Sequence, residues 1–361
     1  MIQRFLLFLS GLLCATLFSG CAPAKVVQSG STSLVEVARS DRQWTGIAVA
    51  PDGRIFVNYP RWSDTVPFSV GELRPDGKVV PYPSLDLNRW EPGSDPANHF
   101  VCVQSVVVDR EGFLWILDPA NPWFKGVVAG GPKLVKVDLA TNRIIQTIRF
   151  AAPVIEGGSY LNDVRIDTRR KVAYLTDSGA GAIVVVDLIE GTNRRLLADH
   201  PSTHAEDSVL TIEGRPWRRP DGSTPKVHAD GIALDADGDY LYYQALTGRT
   251  LYRIKARWLR DPHLTVQELA GKVEMVGKTG AADGLEFGPD GRVYLSALEE
   301  NAIKAVVPGG TAEIVVQSPE LAWPDSFAFG PDGSLYVTTS QINRGPKPPE
   351  PYKIFKLERR P

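Results

Sequence analysis

One unit recurs six times along this chain, and that recurrence restricts the possible folds more than any other feature. Each copy has a small or polar pair, an alternating apolar run, a turn and a second apolar run. The first is Thr45-Gly46-Ile47-Ala48-Val49, then Pro51-Asp52-Gly53, then Ile55-Phe56-Val57. The pattern starts again at Gln104, Asn162, Asp230, Asp283 and Asp325, with Asp-Gly turns at Asp237-Gly238, Asp290-Gly291 and Asp332-Gly333. Asp-Gly between alternating runs is a hairpin signal, because glycine takes the positive φ that a strand-matched turn requires. The intervals leave room for two more strands per copy, such as Gly71-Glu72-Leu73 with Val79-Val80. Six four-stranded units predict an all-β, six-bladed β-propeller. Leu34–Val37 lacks a local hairpin partner, and Lys353–Leu357 is the last apolar run. Pairing the two in the last blade closes the ring and leaves no open edge. No long stretch carries a helical period.

The 361 residues carry 40 Lys+Arg against 42 Asp+Glu, a net charge of −2 with no basic block. That balance argues against nucleic acid as a partner. The start of the chain reads as an address. Arg4 precedes an apolar run from Phe5 to Phe18, too short to span a bilayer, followed by Ser19, Gly20 and Cys21. The pattern resembles a bacterial lipoprotein signal, although Phe18 stands where such signals prefer Leu. It implies export of the protein, lipidation of Cys21 and an outer-membrane anchor, with contact to the membrane through that lipid alone. The alternative is cleavage after Ala22-Pro23-Ala24, which releases a soluble periplasmic or secreted protein. The expected layout is a signal over 1–20, a linker over 21–32 and the propeller over 33–361. Of the 3 cysteines, only Cys102 then stays a free thiol, and its apolar surroundings mark a small buried hydrophobe rather than a nucleophile.

In a propeller the first strand of each blade lines the central channel. Aligning the copies puts Thr45, Gln104, Asn162, Asp230, Asp283 and Asp325 in one column at one mouth. Clustered carboxylates repel unless a cation or a proton intervenes. Oxygen donors without Cys or His suit Ca²⁺, with Asn162, Asp230, Asp283 and Asp325 as ligands. Read singly, each column residue also fits a capping role on neighbouring backbone. His228, two residues before Asp230, is expected on the same side as a candidate general base beside Asp230 and Asp283. Thr45, Gln104 and Trp217 are candidate ligand contacts. Trp217 lies in a long segment from Asp199 to Val227 that also carries Arg215, Arg218 and Arg219, and long loops often cover binding sites. His200 and His204 have a spacing seen in zinc helices, but the intervening Pro201-Ser202-Thr203 reads as loop. Serine-hydrolase elbows, phosphate loops and dinucleotide fingerprints are absent from the sequence.

Five motifs resemble those of the major royal jelly protein and yellow family, in a bacterial version: Phe56-Val57-Asn58-Tyr59-Pro60-Arg61-Trp62, Leu114–Asp118, Ala173–Gly179, Leu241-Tyr242-Tyr243 with Thr250–Arg253, and Trp323–Ser326. The resemblance runs from about residue 34 to 358. It implies a six-bladed propeller related to the gluconolactonase-like superfamily and a small-molecule ligand or substrate. Two kinds of function follow from it. One is a calcium-dependent lactonase-like hydrolase, or a dopachrome-conversion-like isomerase, acting on a small polar ring compound. The other is a non-catalytic binder of amine or catechol-like compounds. Asn162 and Asp230 match metal-ligand positions of the lactonases, whereas Thr45 stands where those enzymes have Glu.

Overall fold

The computed structural model describes residues 27–28, 32–307 and 309–359. The expected signal, Cys21 and most of the expected linker lie outside the described residues. Six antiparallel blades follow one another, each running outward from the channel. Blade one comprises Ile47–Val49, Ile55–Asn58, Val70–Leu73 and Val79–Pro81; blade two runs from Ser105–Val108 to Arg143–Arg149. Blade three runs from Leu161–Asp167 to Asn193–Leu196, blade four from Ala229–Leu234 to Glu274–Lys278, and blade five from Ala282–Phe287 to Ala312–Gln317. Blade six takes three strands from the end of the chain, Pro324–Phe329, Leu335–Thr339 and Tyr352–Arg359. Its fourth comes from the beginning, Thr32–Ser40. The register Leu34↔Leu357 and Arg39↔Lys353 is the expected closure. Val27–Gln28, inside the expected linker, adds a short fifth strand to blade five against Val316 and Gln317.

The turns form as their residues dictate. Gly53 has φ +86°, and the Asp52 carboxylate accepts the Arg54 N–H at 3.0 Å. Apolar side chains pack between neighbouring blades, with Trp115, Tyr174, Tyr243 and Trp323 almost fully buried. Two short helices, Ala256–Arg260 and Val266–Ala270, interrupt blade four. They are too brief to show a period, although Thr265 and Glu268 form a reciprocal capping box at the second.

One departure from regular pairing shapes the channel. The inner strands of blades three to six each skip register near their start, between Leu161 and Val164, Ala229 and Ile232, Ala282 and Leu285, and Pro324 and Phe327. A bulge leaves backbone groups without ladder partners and re-aims side chains. Hydroxyls from the second strands occupy those gaps: Thr176 Oγ1 donates to the Asp230 carbonyl at 2.6 Å, and Ser296 Oγ accepts the Gly284 N–H at 2.8 Å.

Candidate functional site: an acidic channel mouth

The inner strands touch in sequence around the ring, from blade one to blade six and back. Their first residues therefore meet at one mouth. Glycine beside the acids makes the approach possible. A Cβ on Gly231 would lie 2.4 Å from the Asp283 carbonyl oxygen, and one on Gly284 would lie 2.1 Å from that of Asp325.

Asp230, Asp283 and Asp325 are all buried and act on one another. Burial, with the Asp283 and Asp325 carboxyls nearby, holds Asp230 well above the usual carboxylate range. Burial also pushes Asp283 up to about 6, held back by hydrogen bonds from Trp323 and Asp230. The Trp323 indole N–H donates to Asp283 Oδ2 at 2.6 Å. Burial, then Asp283, raises Asp325, against the hydrogen bond that the Ser326 hydroxyl donates at 2.9 Å. The Asp230 and Asp283 carboxyls are thus both raised by burial, and they interact directly.

The remaining column members have other duties. Thr45 is fully buried, accepting from Asn58 Nδ2 at 2.8 Å and donating to the Gln104 carbonyl at 3.3 Å, so it ties blade one to blade two. The Gln104 side chain accepts the Tyr160 hydroxyl at 2.9 Å. Asn162 is buried at the start of its strand, one residue before Asp163. His228 belongs to the loop more than to the acids: its Nδ1 accepts the Ala205 N–H at 3.0 Å, and its ring lies edge-on to His204 at 4.9 Å. Burial and His204 lower its pKa. The register skip after Ala229 interrupts the alternation that would have aligned it with Asp230. His200 caps the turn Pro201–Thr203, accepting from Ser202 N. Trp217 packs edge-on against Trp323 at 4.9 Å, whereas Arg215, Arg218 and Arg219 are exposed. Cys102 is buried and its thiol is pushed up to about 12 by burial.

Calcium, which the lactonase likeness implies, finds suitable donor chemistry here but not a cage. Among the described residues, no three His, Cys, Asp or Glu side chains come together so as to hold a metal ion. The Ser326 hydroxyl donates to Asp325 Oδ1 at 2.9 Å. As arranged, these residues do not fit the ion.

Two groups at the channel escaped the sequence reading. One is a set of rings beside Gln104: Phe124, 61% exposed, stacks on Tyr160 at 5.2 Å and lies 5.4 Å from Trp62, whose Nε1 donates to the Tyr160 hydroxyl. Trp123 and Phe124 both have positive φ, 55° and 54°, a strained loop that displays the ring. The other is an ion cluster at the channel waist. One guanidinium nitrogen of Arg165 bonds both carboxylate oxygens of Asp163 at 2.9 Å, and the other is 3.1 Å from Glu286. The available signal was a charge inside an apolar inner strand, Val164-Arg165-Ile166 and Leu285-Glu286-Phe287.

Comparison with known proteins agrees with this architecture. The family model described as major royal jelly protein matches residues 101–329. Protein yellow of Drosophila pseudoobscura pseudoobscura is 28% identical over 143 residues, 36% of this chain and 25% of that protein. Dopaminechrome tautomerase of Drosophila melanogaster is 26% identical over 123 residues, 32% of this chain and 26% of that protein. These alignments thus span about a quarter of the curated relatives' length. Among solved structures, a gluconolactonase from Xanthomonas campestris superposes with a TM-score of 0.56 at 14% identity, covering 94% of this chain and 96% of that one. The calcium-binding protein regucalcin from Agrobacterium tumefaciens gives 0.54 at 16% identity, covering 90% and 96%. At such identities the structural likeness concerns the fold alone.

Proposed function

The chain belongs to the major royal jelly protein family, and from that premise we propose that its acidic mouth binds a small polar ring compound and isomerises it by proton transfer. The observation that carries this reading is the Asp230–Asp283 pair. An ionised Asp283 takes a proton from a ring carbon activated by a neighbouring carbonyl or iminium. Asp230 returns a proton at the far end of the conjugated system, so the balance needs neither water nor oxidant. General acid–base groups work best with pKa values near the operating pH, and burial has moved both carboxyls in that direction. The Trp62, Phe124 and Tyr160 rings supply a surface on which a flat ring stacks. Similarity to a dopaminechrome tautomerase supports the same class of reaction. The calcium-dependent lactonase reading would need a cation cage that the donors among the described residues do not form.

The test is solvent-deuterium incorporation into a panel of quinone-type and lactone rings, with and without calcium. Turnover of a quinone-type ring, lowered about 10²- to 10⁴-fold in Asp230→Asn and Asp283→Asn, is expected. Tight binding without turnover would instead establish a carrier of amine or catechol-like compounds. Lactone opening that requires calcium would establish the hydrolase.

Residues 1–20 are proposed to direct export and Cys21 to carry lipid, on the strength of Arg4, the Phe5–Phe18 run and the small residues Ser19 and Gly20. Among the described residues, no helix is long and apolar enough to cross a membrane. Intact mass of detergent-extracted protein should show a lipidated Cys21; an unmodified N-terminus at Lys25 would exclude it.

A further inference from the structure

The segment between blades three and four forms a strap on the face of the ring where the inner strands begin. Both of its ends are tied to Thr247 of blade four. The Glu206 N–H donates to the Thr247 carbonyl at 2.7 Å, and Thr247 Oγ1 donates to the Pro225 carbonyl at 2.9 Å. Between these ties, Thr211–Ile212 and Arg215–Pro216 form a hairpin. Its buried Leu210 and Ile212 pack with Leu246, Leu298 and Trp323, so the strap reaches from blade four across blade five to blade six. Leu246 and Leu298 directly follow the second strands of their blades, and Trp323 directly precedes the inner strand of blade six.

Two strained residues mark where the strap acts. The hairpin turn is Glu213-Gly214, with φ +51° and +75°, a two-residue turn in which Asn or Asp ordinarily precedes Gly. Glu213 stands there instead, and its carboxylate reaches blade six. It accepts from Arg344 Nε at 3.1 Å, from Arg344 Nη2 at 2.5 Å and from Asn343 Nδ2 at 2.9 Å. A two-pronged pair of this kind fixes orientation as well as distance. Farther along the strap, the Trp217 N–H donates to the Leu210 carbonyl at 2.8 Å, and its half-buried ring lies edge-on to Trp323. Trp323 is the second strained residue. It is fully buried at φ +53°, a conformation that a bulky side chain keeps only where its surroundings hold it. Its indole N–H is the donor to Asp283.

We infer that Trp217 is a positioning residue for Asp283: the Glu213–Arg344 clasp holds Trp217 against Trp323, and Trp217 holds the Trp323 indole on the carboxylate. The consequence for turnover rests on the proton-transfer reading above; the contact itself does not. The test follows the indole ¹H–¹⁵N signal of Trp323 in the full chain labelled with ¹⁵N-tryptophan, identified as the signal missing from Trp323→Phe. Exchange of that proton with solvent should be roughly tenfold faster in Trp217→Ala and about threefold faster in Arg344→Met, which leaves the strap's own sequence intact. Trp217→Phe restores a ring and should return the rate to within about twofold of wild type. Thermal melting identifies a variant that does not fold, and Arg344→Met carries the test should Trp217→Ala fail in that way. Wild-type exchange in either folded variant overturns the inference, as does faster exchange that Trp217→Phe does not reverse. The indole signal is read without substrate. A chain that turns over no ring compound would thus overturn the isomerase reading alone, and the indole exchange would still decide this one.

Discussion

Trp323 and Asp283 are bound indole to carboxylate at 2.6 Å, although they begin different blades. The bond favours the charged form of Asp283 and partly offsets burial. A hydrogen bond to a charged group is worth roughly 1.5–3 kcal/mol, so removing it should raise the Asp283 midpoint by about 1–2 units. Trp323→Phe keeps most of the ring and deletes the donor. An NMR titration of carboxyl-¹³C aspartate should show the midpoint move above about 6; an unmoved midpoint would mean the indole does not set the base strength.

The acids also leave a mark on stability, and its sign is fixed by their direction of shift. Asp283 binds its proton more tightly when folded, with a pKa near 6 against the ordinary 3.8. The folded state then holds more protons between these values, so this contribution weakens stability as pH rises from about 4 to about 6. Asn imitates the protonated side chain. Asp283→Asn should therefore be more stable than wild type at pH 7.5, by roughly 1–3 kcal/mol, and no more stable at pH 4. Thermal melts of both proteins across that range test the difference, in which the depressed histidines His200 and His228 largely cancel.

Lys133 and Asp118 form an ion pair at 3.1 Å with almost no exposure. Asp118 also accepts the N–H groups of Val101, Cys102 and Ala120, pinning the loop that leads into blade two. Lys133→Met leaves that carboxylate buried without its cation and should cost about 3 kcal/mol or more. Denaturant unfolding measures it, and a loss under about 1 kcal/mol would show that the backbone donors alone suffice.

Gly284 is required by proximity rather than by its own backbone angles. A methyl there would meet the Asp325 carbonyl at 2.1 Å, and backbone cannot swing aside as a side chain can. Gly284→Ala should destabilise by about 1–3 kcal/mol and separate blades five and six at the mouth. If its melting temperature equals that of wild type, the inner strands are less closely set than described.

Calcium should have little effect. A ligand that binds only the native state raises the melting temperature with concentration. Because no three His, Cys, Asp or Glu side chains among the described residues come together as a cage, millimolar calcium should leave the melting temperature unchanged at pH 7. A rise of several degrees would show that the carboxyls rearrange into a cage.

The hairpins and the ring were readable because their causes are local. Asp52-Gly53 makes its turn wherever it stands, and the copies beginning at Asp230 and Asp283 announce themselves by alternation. The column was visible because repeats share a register. What could not be read depends on atoms brought together across blades. Nothing near Arg165 in the chain says that it meets Glu286, and nothing near Trp323 names Asp283. His228 illustrates a different failure: a skipped register between Ala229 and Ile232 breaks the simple alternation used to place it. Phe124 owes its display to a strained loop conformation that carries no compositional signature.

The pairing of Thr32–Ser40 with Tyr352–Arg359 sets the order of assembly. The four inner-to-outer strands of each other blade find neighbours close by in the chain, but the last blade waits for partners more than 300 residues apart. Until then the growing ring has two raw ends, and sheet edges that lack partners invite association with other chains. The circle can shut only once Tyr352–Arg359 has been made. Removing Tyr352–Arg359 would thus leave an otherwise complete set of blades in the state of a half-made protein.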